Sequence, residues 1–209
     1  EKIDTNIHYK LVNITDFEAL SLIFKTNIDY VFHAAAYKHV PLLEDNITAA
    51  IQNNILGTMN TLELSFINNV NNFTLISSDK AVRPTNIMGV TKRFSEIIAQ
   101  NYFNKKDNQH TNISIVRFGN VLGSSGSVIP LFLKQLKEGS YLTVTHPEVS
   151  RFFMTIEDAV GLVLQSNFMS RGGEIYVLNM GKAIKIDEVA KKLLKLFYGK
   201  LSNTDMNSK

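Results

Sequence analysis

An apolar run, Phe73 to Ile76, stops abruptly at two hydroxyls, a carboxylate and an amine: Ser77, Ser78, Asp79 and Lys80. A run this short with no alternation reads as a strand buried on both faces, and such strands belong to parallel sheets covered by helices. In open parallel α/β sheets the ligand crevice lies outside the carboxyl ends of the strands. Ser78, Asp79 and Lys80 are therefore predicted to project into it together. Pro84-Thr85-Asn86 makes a turn. Met88 and Lys92 follow, four apart on the opening turns of a helix, and share one face aimed at the same crevice.

The rest of the chain repeats a strand-then-helix rhythm. His8 to Ile14 reads as a strand and Asp16 to Lys25 as a helix, followed by a strand from Asp29 to Ala36 whose continuous apolar character predicts burial on both faces. The three alanines Ala34, Ala35 and Ala36 leave room above that strand end for something flat, although a helix-packing surface would use small residues equally well. A long crossover helix is predicted from Glu44 to about Asn68, with Ala50, Ile51, Ile55, Leu62, Leu64 and Ile67 as its buried stripe. Asn54 and Gly57 both cost propensity inside it, the glycine by about 1 kcal/mol, which points to packing or function unless Asn54 simply faces water.

After the central helix, which runs through Arg93 and Tyr102, residues Asn104 to Thr111 read as an exposed loop and Asn112 to Phe118 as another buried strand. Glycines at 119, 123 and 126 let the backbone pass close to a ligand or take positive φ. Further on, a helix over Leu131–Glu138, a strand over Leu142–Thr145, a helix from Thr155 (its N-cap) to Phe168, a strand over Glu174–Asn179 and an amphipathic helix over Asp187–Tyr198 are predicted. Residues 202–209 have Met206 as their one apolar residue and read as a disordered tail. The pattern is α/β, a doubly wound parallel sheet with a small α/β subdomain.

Composition removes several classes of function. The 209 residues carry a net charge of +3 with no strong basic stripe beyond Lys191, Lys192 and Lys195, too little for a nucleic-acid surface. With no cysteine, disulfides and thiolate metal sites are excluded, and His33 and His39 lack ligand spacing, so no metal site is expected. No apolar run approaches the roughly 18 residues of a membrane span, and no leader is evident, so a cytoplasmic location without membrane contact from this segment is expected, at the membrane face if the segment belongs to a longer anchored protein.

Three stretches carry a resemblance: His33-Ala34-Ala35-Ala36-Tyr37-Lys38-His39-Val40-Pro41, the run from Leu75 to Lys92, and Arg117-Phe118-Gly119-Asn120-Val121-Leu122-Gly123-Ser124-Ser125-Gly126-Ser127-Val128-Ile129-Pro130. Together they resemble the extended short-chain dehydrogenase/reductases, and within these the CapD-like nucleotide-sugar 4,6-dehydratases of polysaccharide biosynthesis that act on UDP-N-acetylglucosamine. Most extended reductases have Tyr-x-x-x-Lys where this chain has Met88-Gly89-Val90-Thr91-Lys92, a swap typical of the larger, membrane-anchored dehydratases. Arg83 stands where the family commonly has a smaller polar residue.

The resemblance implies a Rossmann-like fold, NAD or NADP as cofactor and a UDP-sugar as substrate. Ser78 would hydrogen-bond the sugar 4-hydroxyl, Asp79 would protonate the departing C6 oxygen and Lys80 would take the C5 proton, its pKa lowered by burial or by Lys92 and the cofactor. Lys92 would also bind the nicotinamide ribose, and Met88, which cannot be a base, stands in the tyrosine position. Ala34, Ala35, Ala36, Asn54, Ser77, Phe118, Gly119 and Val121 would line the cofactor, with Asn54 tying neighbouring strand ends and Gly57 permitting close helix-to-sheet contact. Lys38, His39, Asn120, Ser127, Val128 and Arg151 would meet the substrate. Without that resemblance, Asp79 and Lys80 read as a plain ion pair, Arg151 as a surface ion pair, and Lys38 and His39 as solvated loop residues.

No Gly-x-Gly-x-x-Gly follows an opening strand. In this fold that loop holds the cofactor pyrophosphate at a helix N-terminus, so the reading is a partial fold whose first βαβ unit is missing. Residues 1–126 would form the partial cofactor domain, 127–154 and 181–201 a small substrate-binding subdomain, and 155–180 a helix and strand returning to the sheet. A homo-oligomer, or association with a separately encoded N-terminal part, is expected. The alternatives are a nucleotide-sugar epimerase, which usually keeps the tyrosine and lacks the Asp-Lys pair, and a non-catalytic binding or remnant fragment.

Overall fold

The computed structural model describes residues 6–105, 110–124 and 127–205. The chain divides into two compact units, the first of residues 1–115 and 170–175, the second of 116–169 and 176–209. Gly126 of the glycine loop, and residues 206–209 of the expected tail, lie outside the described residues.

The first unit opens irregularly. Residues His8 to Ile14 form no strand: Tyr9 and Leu11 are fully exposed, and the backbone joins no sheet. Apolar alternation alone does not supply a partner strand. Helix α1 (Phe17–Phe24) starts where Asp16 accepts from the Ala19 N–H at 3.0 Å, satisfying one of the free donors of its first turn. Strand β1 (Tyr30–His33) pairs in parallel with β2 (Asn72–Ile76), Val31 opposite Phe73 and His33 opposite Leu75. The four-stranded sheet has the order β1, β2, β3 (Asn112–Arg117), β7 (Ile175–Val177). β1 is an edge strand, and Tyr30 and Phe32 are exposed, so the expected burial on both faces fails there. β2 and β3 are buried as expected; Phe73, Leu75, Ile113 and Ile115 form the core with Leu62 and Ala99.

The expected single crossover helix is four pieces: α2 (Val40–Glu44), α3 (Ile47–Ala50), a π-helical turn over Ile51–Leu56, and α4 (Gly57–Ile67). Its buried face holds part of the predicted apolar stripe, Ala50, Leu62 and Leu64. Ile51 and Ile67 are exposed, whereas Thr58, Thr61 and Ser65 are buried, each hydroxyl donating to the carbonyl four residues back. Those bonds let polar side chains enter the core at little cost. Gly57 is close-packed, but a Cβ there would strike Ile14 rather than the sheet. Helix α5 (Ile87–Phe103) is capped by Asn86, which accepts from the Gly89 N–H at 2.8 Å. At the far end of the next loop Thr111 is buried, against the expected exposure.

In the second unit β4 (Asn120–Val121) runs parallel to β6 (Phe153–Met154), and β5 (Ser150–Arg151) antiparallel to β8 (Ile184–Lys185). Helix α6 (Val128–Lys137) begins three residues earlier than expected, because Pro130 sits in its first turn, where the missing N–H is not needed. Leu142–Thr145 forms no strand; the Thr143 N–H goes to the side-chain oxygen of Gln135. Helix α7 (Ile156–Met169) starts at Thr155, whose hydroxyl accepts from the Asp158 N–H. α8 (Ile186–Asp205) carries helix through 202–205, where an unstructured tail was expected. No helix among the described residues is long and apolar enough to cross a membrane.

Candidate active site

The carboxyl end of β2 runs into a single tight turn. Ser78 caps a 3₁₀ turn over Asp79–Ala81, its Oγ accepting from the Lys80 N–H at 3.2 Å and donating to Asp79 Oδ1 at 3.0 Å. Lys80 Nζ lies 3.0 Å from the same Asp79 oxygen, with the two side chains 29% and 31% exposed. The three residues expected to act together are thus joined in one hydrogen-bonded group that solvent reaches. The pair is an ion pair, as the residues alone suggested, and it sits at the strand end.

Beneath the turn lies a buried polar layer. Lys92 is 7% exposed, and its ammonium donates to the carbonyl of Ile76, the last residue of β2. Burial pushes its pKa down to about 8, against the opposing pull of Glu96. Met88, one turn earlier, packs in an apolar cluster with Leu43 and Ala50. Lys92 and Met88 therefore serve different surroundings, and Met88 contributes packing. Ser77, expected at the cofactor, is buried and donates its hydroxyl to Glu96 Oε1 at 2.5 Å.

Asn54 is 1% exposed, which removes the reading of a solvent-facing helix residue. Its Oδ1 accepts from the Tyr37 N–H at 2.7 Å, and its Nδ2 donates to the Tyr37 carbonyl and to Thr91 Oγ1, both at 3.0 Å. One amide thus ties the segment after β1 to α5. The wider π turn frees backbone carbonyls; that of Asn54 is taken by the hydroxyls of Thr58 and Ser95, at 2.6 and 2.7 Å.

His33 and Glu96 were not singled out from the sequence as site residues. His33 is buried, stacks on Phe73 at 5.9 Å and lies 3.0 Å from Thr58 Oγ1. Thr58 spends its one proton on the Asn54 carbonyl, so it must accept from His33, which fixes the proton on Nε2. Burial, with Lys92 as a second influence, lowers the His33 pKa to about 4. The signal for Glu96 was available: it stands four residues after Lys92 on the same helix face.

At the end of β1, Ala34 and Ala35 are exposed and Ala36 is half-buried. Ala36, Lys38 and His39 line one cavity of about 370 Å³ with Tyr37, Leu42 and Leu43. Lys38 and His39 thus share a concave wall, and both are exposed. The small residues and the cation are what a flat, anionic cofactor or nucleotide would need, so the groups present fit one.

The remaining residues belong to the second unit. Phe118, Gly119, Asn120 and Val121 are half-buried; the Gly119 N–H points to the Met180 sulfur at 2.8 Å, and the Asn120 N–H donates to the Phe152 carbonyl at 3.1 Å. Gly123 has φ +73°, as a glycine in a turn. Ser127 is the N-cap residue of α6, and its buried hydroxyl has no hydrogen-bond partner among the described residues. Val128 packs against the cluster of Phe132, Ile186 and Ala190. Arg151 is exposed and donates to the Ser150 carbonyl at 2.8 Å.

Residues 1–209 match throughout a family described as "Polysaccharide biosynthesis protein". The chain belongs to that family. It is 54% identical over 166 residues to the capsular polysaccharide biosynthesis protein CapD of Staphylococcus aureus, covering 79% of this chain and 27% of CapD. A UDP-glucose 4-epimerase of Rickettsia canadensis is 42% identical over 173 residues, covering 83% of this chain and 50% of the relative. The chain thus spans half or less of the length of these curated relatives. Among solved structures, Pen from Bacillus thuringiensis superposes with a TM-score of 0.89 at 36% identity, covering 93% of this chain and 61% of Pen. DesIV of Streptomyces venezuelae, a dTDP-glucose 4,6-dehydratase solved with NAD bound, superposes with a TM-score of 0.84 at 21% identity, covering 93% of this chain and 65% of DesIV; this likeness concerns the fold. The fold is the Rossmann-like α/β fold of these proteins.

Proposed function

We propose that the protein carrying this chain is an NAD(P)-dependent nucleotide-sugar 4,6-dehydratase that converts UDP-N-acetylglucosamine to a 4-keto-6-deoxy sugar. The observation that carries the reading is the Ser78–Asp79–Lys80 group: an acceptor for a sugar hydroxyl, an acid and a base within one turn at the end of a central strand. A bound nicotinamide would serve as hydride acceptor and donor; Ala34, Ala35, Ala36, Phe118, Gly119, Val121 and Lys92 are the residues assigned to hold it, while Asn54 fixes the segment after β1. Lys38, His39, Asn120, Ser127, Val128 and Arg151 are assigned to the UDP-sugar, and the unpartnered Ser127 hydroxyl supports that assignment.

The ion pair supplies its own route to the reactive state. Elimination of water needs a protonated acid for the departing C6 oxygen and a free amine for the C5 proton. Shifting one proton from Lys80 Nζ to Asp79 across their 3.0 Å contact produces both at once. In water the charged form is favoured; when a sugar seals the turn from solvent, desolvation works against the charges and towards the neutral acid and amine. Lys80 then removes the C5 proton, Asp79 gives its proton to the C6 oxygen, and water leaves.

The test is made on the full-length protein with UDP-N-acetylglucosamine and NAD. Formation of the 4-keto-6-deoxy product, with loss of water by mass, is expected, and Lys80→Ala and Asp79→Asn should each abolish it. Turnover that survives in both variants overturns the assignment. The similarity to the Rickettsia UDP-glucose 4-epimerase favours a second reading, in which the product is a C4 epimer of unchanged mass; Met88 in the tyrosine position argues against it. A protein that binds UDP-sugar and converts none would be a binding module.

A further inference from the structure

Lys92 and Glu96, one helical turn apart on α5, grip two consecutive residues at the end of β2. Lys92 donates to the Ile76 carbonyl and Glu96 accepts the Ser77 hydroxyl. Glu96 is completely buried, and its second oxygen receives Arg93 at 2.9 Å. A carboxylate in the interior is costly unless paired. The charge of Glu96 is met by the Arg93 guanidinium and, one turn back, by the Lys92 ammonium. The turn of Ser78, Asp79 and Lys80 follows Ser77 directly. Holding the end of β2 therefore helps to set where that turn sits.

We propose that Glu96 is a positioning residue of this site, acting through Ser77 and together with Lys92 to fix the turn that carries Asp79 and Lys80. Calling that turn catalytic rests on the function proposed above; the grip itself does not. The titratable groups coupled to Lys92 are His33 from β1 and Glu96 from its own helix, with Arg93 behind Glu96. Glu96 keeps the buried ammonium charged, and the charged ammonium holds the Ile76 carbonyl.

The experiment uses readouts that need no substrate. In protein labelled with ¹³C-lysine, Lys92, assigned with Lys92→Arg, is followed by NMR through its titration near pH 8. Glu96→Gln should move the midpoint down by about one unit, and Glu96→Asp, which keeps the charge, should restore it. Amide hydrogen exchange at residues 77–81 should quicken about tenfold in Glu96→Gln and Ser77→Ala while Ile113–Val116 of β3 stays protected. An unmoved midpoint, or exchange that rises in β3 as much as in the turn, overturns the proposal. If Glu96→Gln does not fold, Ser77→Ala, which deletes one hydroxyl, decides by exchange alone. A full-length protein without dehydratase activity sinks the proposed function and leaves these two readouts to judge Glu96.

Discussion

A Cβ on Gly89 would fall against the backbone of Lys80, 3.2 Å from its carbonyl carbon and nearer still to the oxygen. The first turn of α5 therefore lies directly against the turn that bears the ion pair. The obstacle is backbone, which cannot rotate away as a side chain would.

Gly89→Ala should accordingly displace residues 79–81. Turnover should fall at least about a hundredfold, as expected when reacting groups move by about 1 Å, while the circular dichroism of the folded protein persists. Gly161→Ala, at a helical position with nothing within 4 Å, serves as the control and should leave turnover unchanged.

Acid should weaken the fold through His33. With its folded pKa near 4 and an unfolded value of 6.5, the unfolded chain binds the extra proton between those limits. Stability is therefore complete above pH 6.5 and is lost as pH falls towards 4. From pH 7 to pH 5 the loss from this residue should be about 2 kcal/mol, read from urea midpoints. His33→Asn should flatten that slope.

Arg83 holds a left-handed backbone, φ +47°. The other described residue of this kind that is not glycine is Asn69, a type that tolerates the region. Arg83→Asn should stabilise the protein by about 0.5 kcal/mol, raising the melting temperature by about 1–2 °C.

Replacing Asn54 by Ala strands the Tyr37 N–H and carbonyl at once. The cost should be about 2–3 kcal/mol in unfolding free energy. Limited proteolysis should cut first in residues 34–39.

The sequence made β2, the turn after it and the start of α5 readable because each is set by neighbours: a short apolar run, a Ser-Asp pair, a Pro-Thr-Asn turn. Thr155 was readable as a cap for the same reason. What failed depended on distant partners. His8–Ile14 and Leu142–Thr145 have strand-like patterns, but a pattern does not supply an adjacent edge, and Gln135 takes the Thr143 N–H. The π turn around Asn54 arises from bonds to Tyr37, Thr91 and Ser95, residues far along the chain. Burial of Ser77 likewise follows from Glu96, which a strand-by-strand reading treats as helix surface.

Asp79 and Lys80 stand on one turn within a single hydrogen bond of each other, and moving the proton along that bond leaves their combined charge at zero. Buffer acidity, which acts only on protons gained or lost to solvent, cannot select between the two forms. On the function proposed above, readiness for reaction would be set by occupancy: a sugar that covers the turn would also be what arms it.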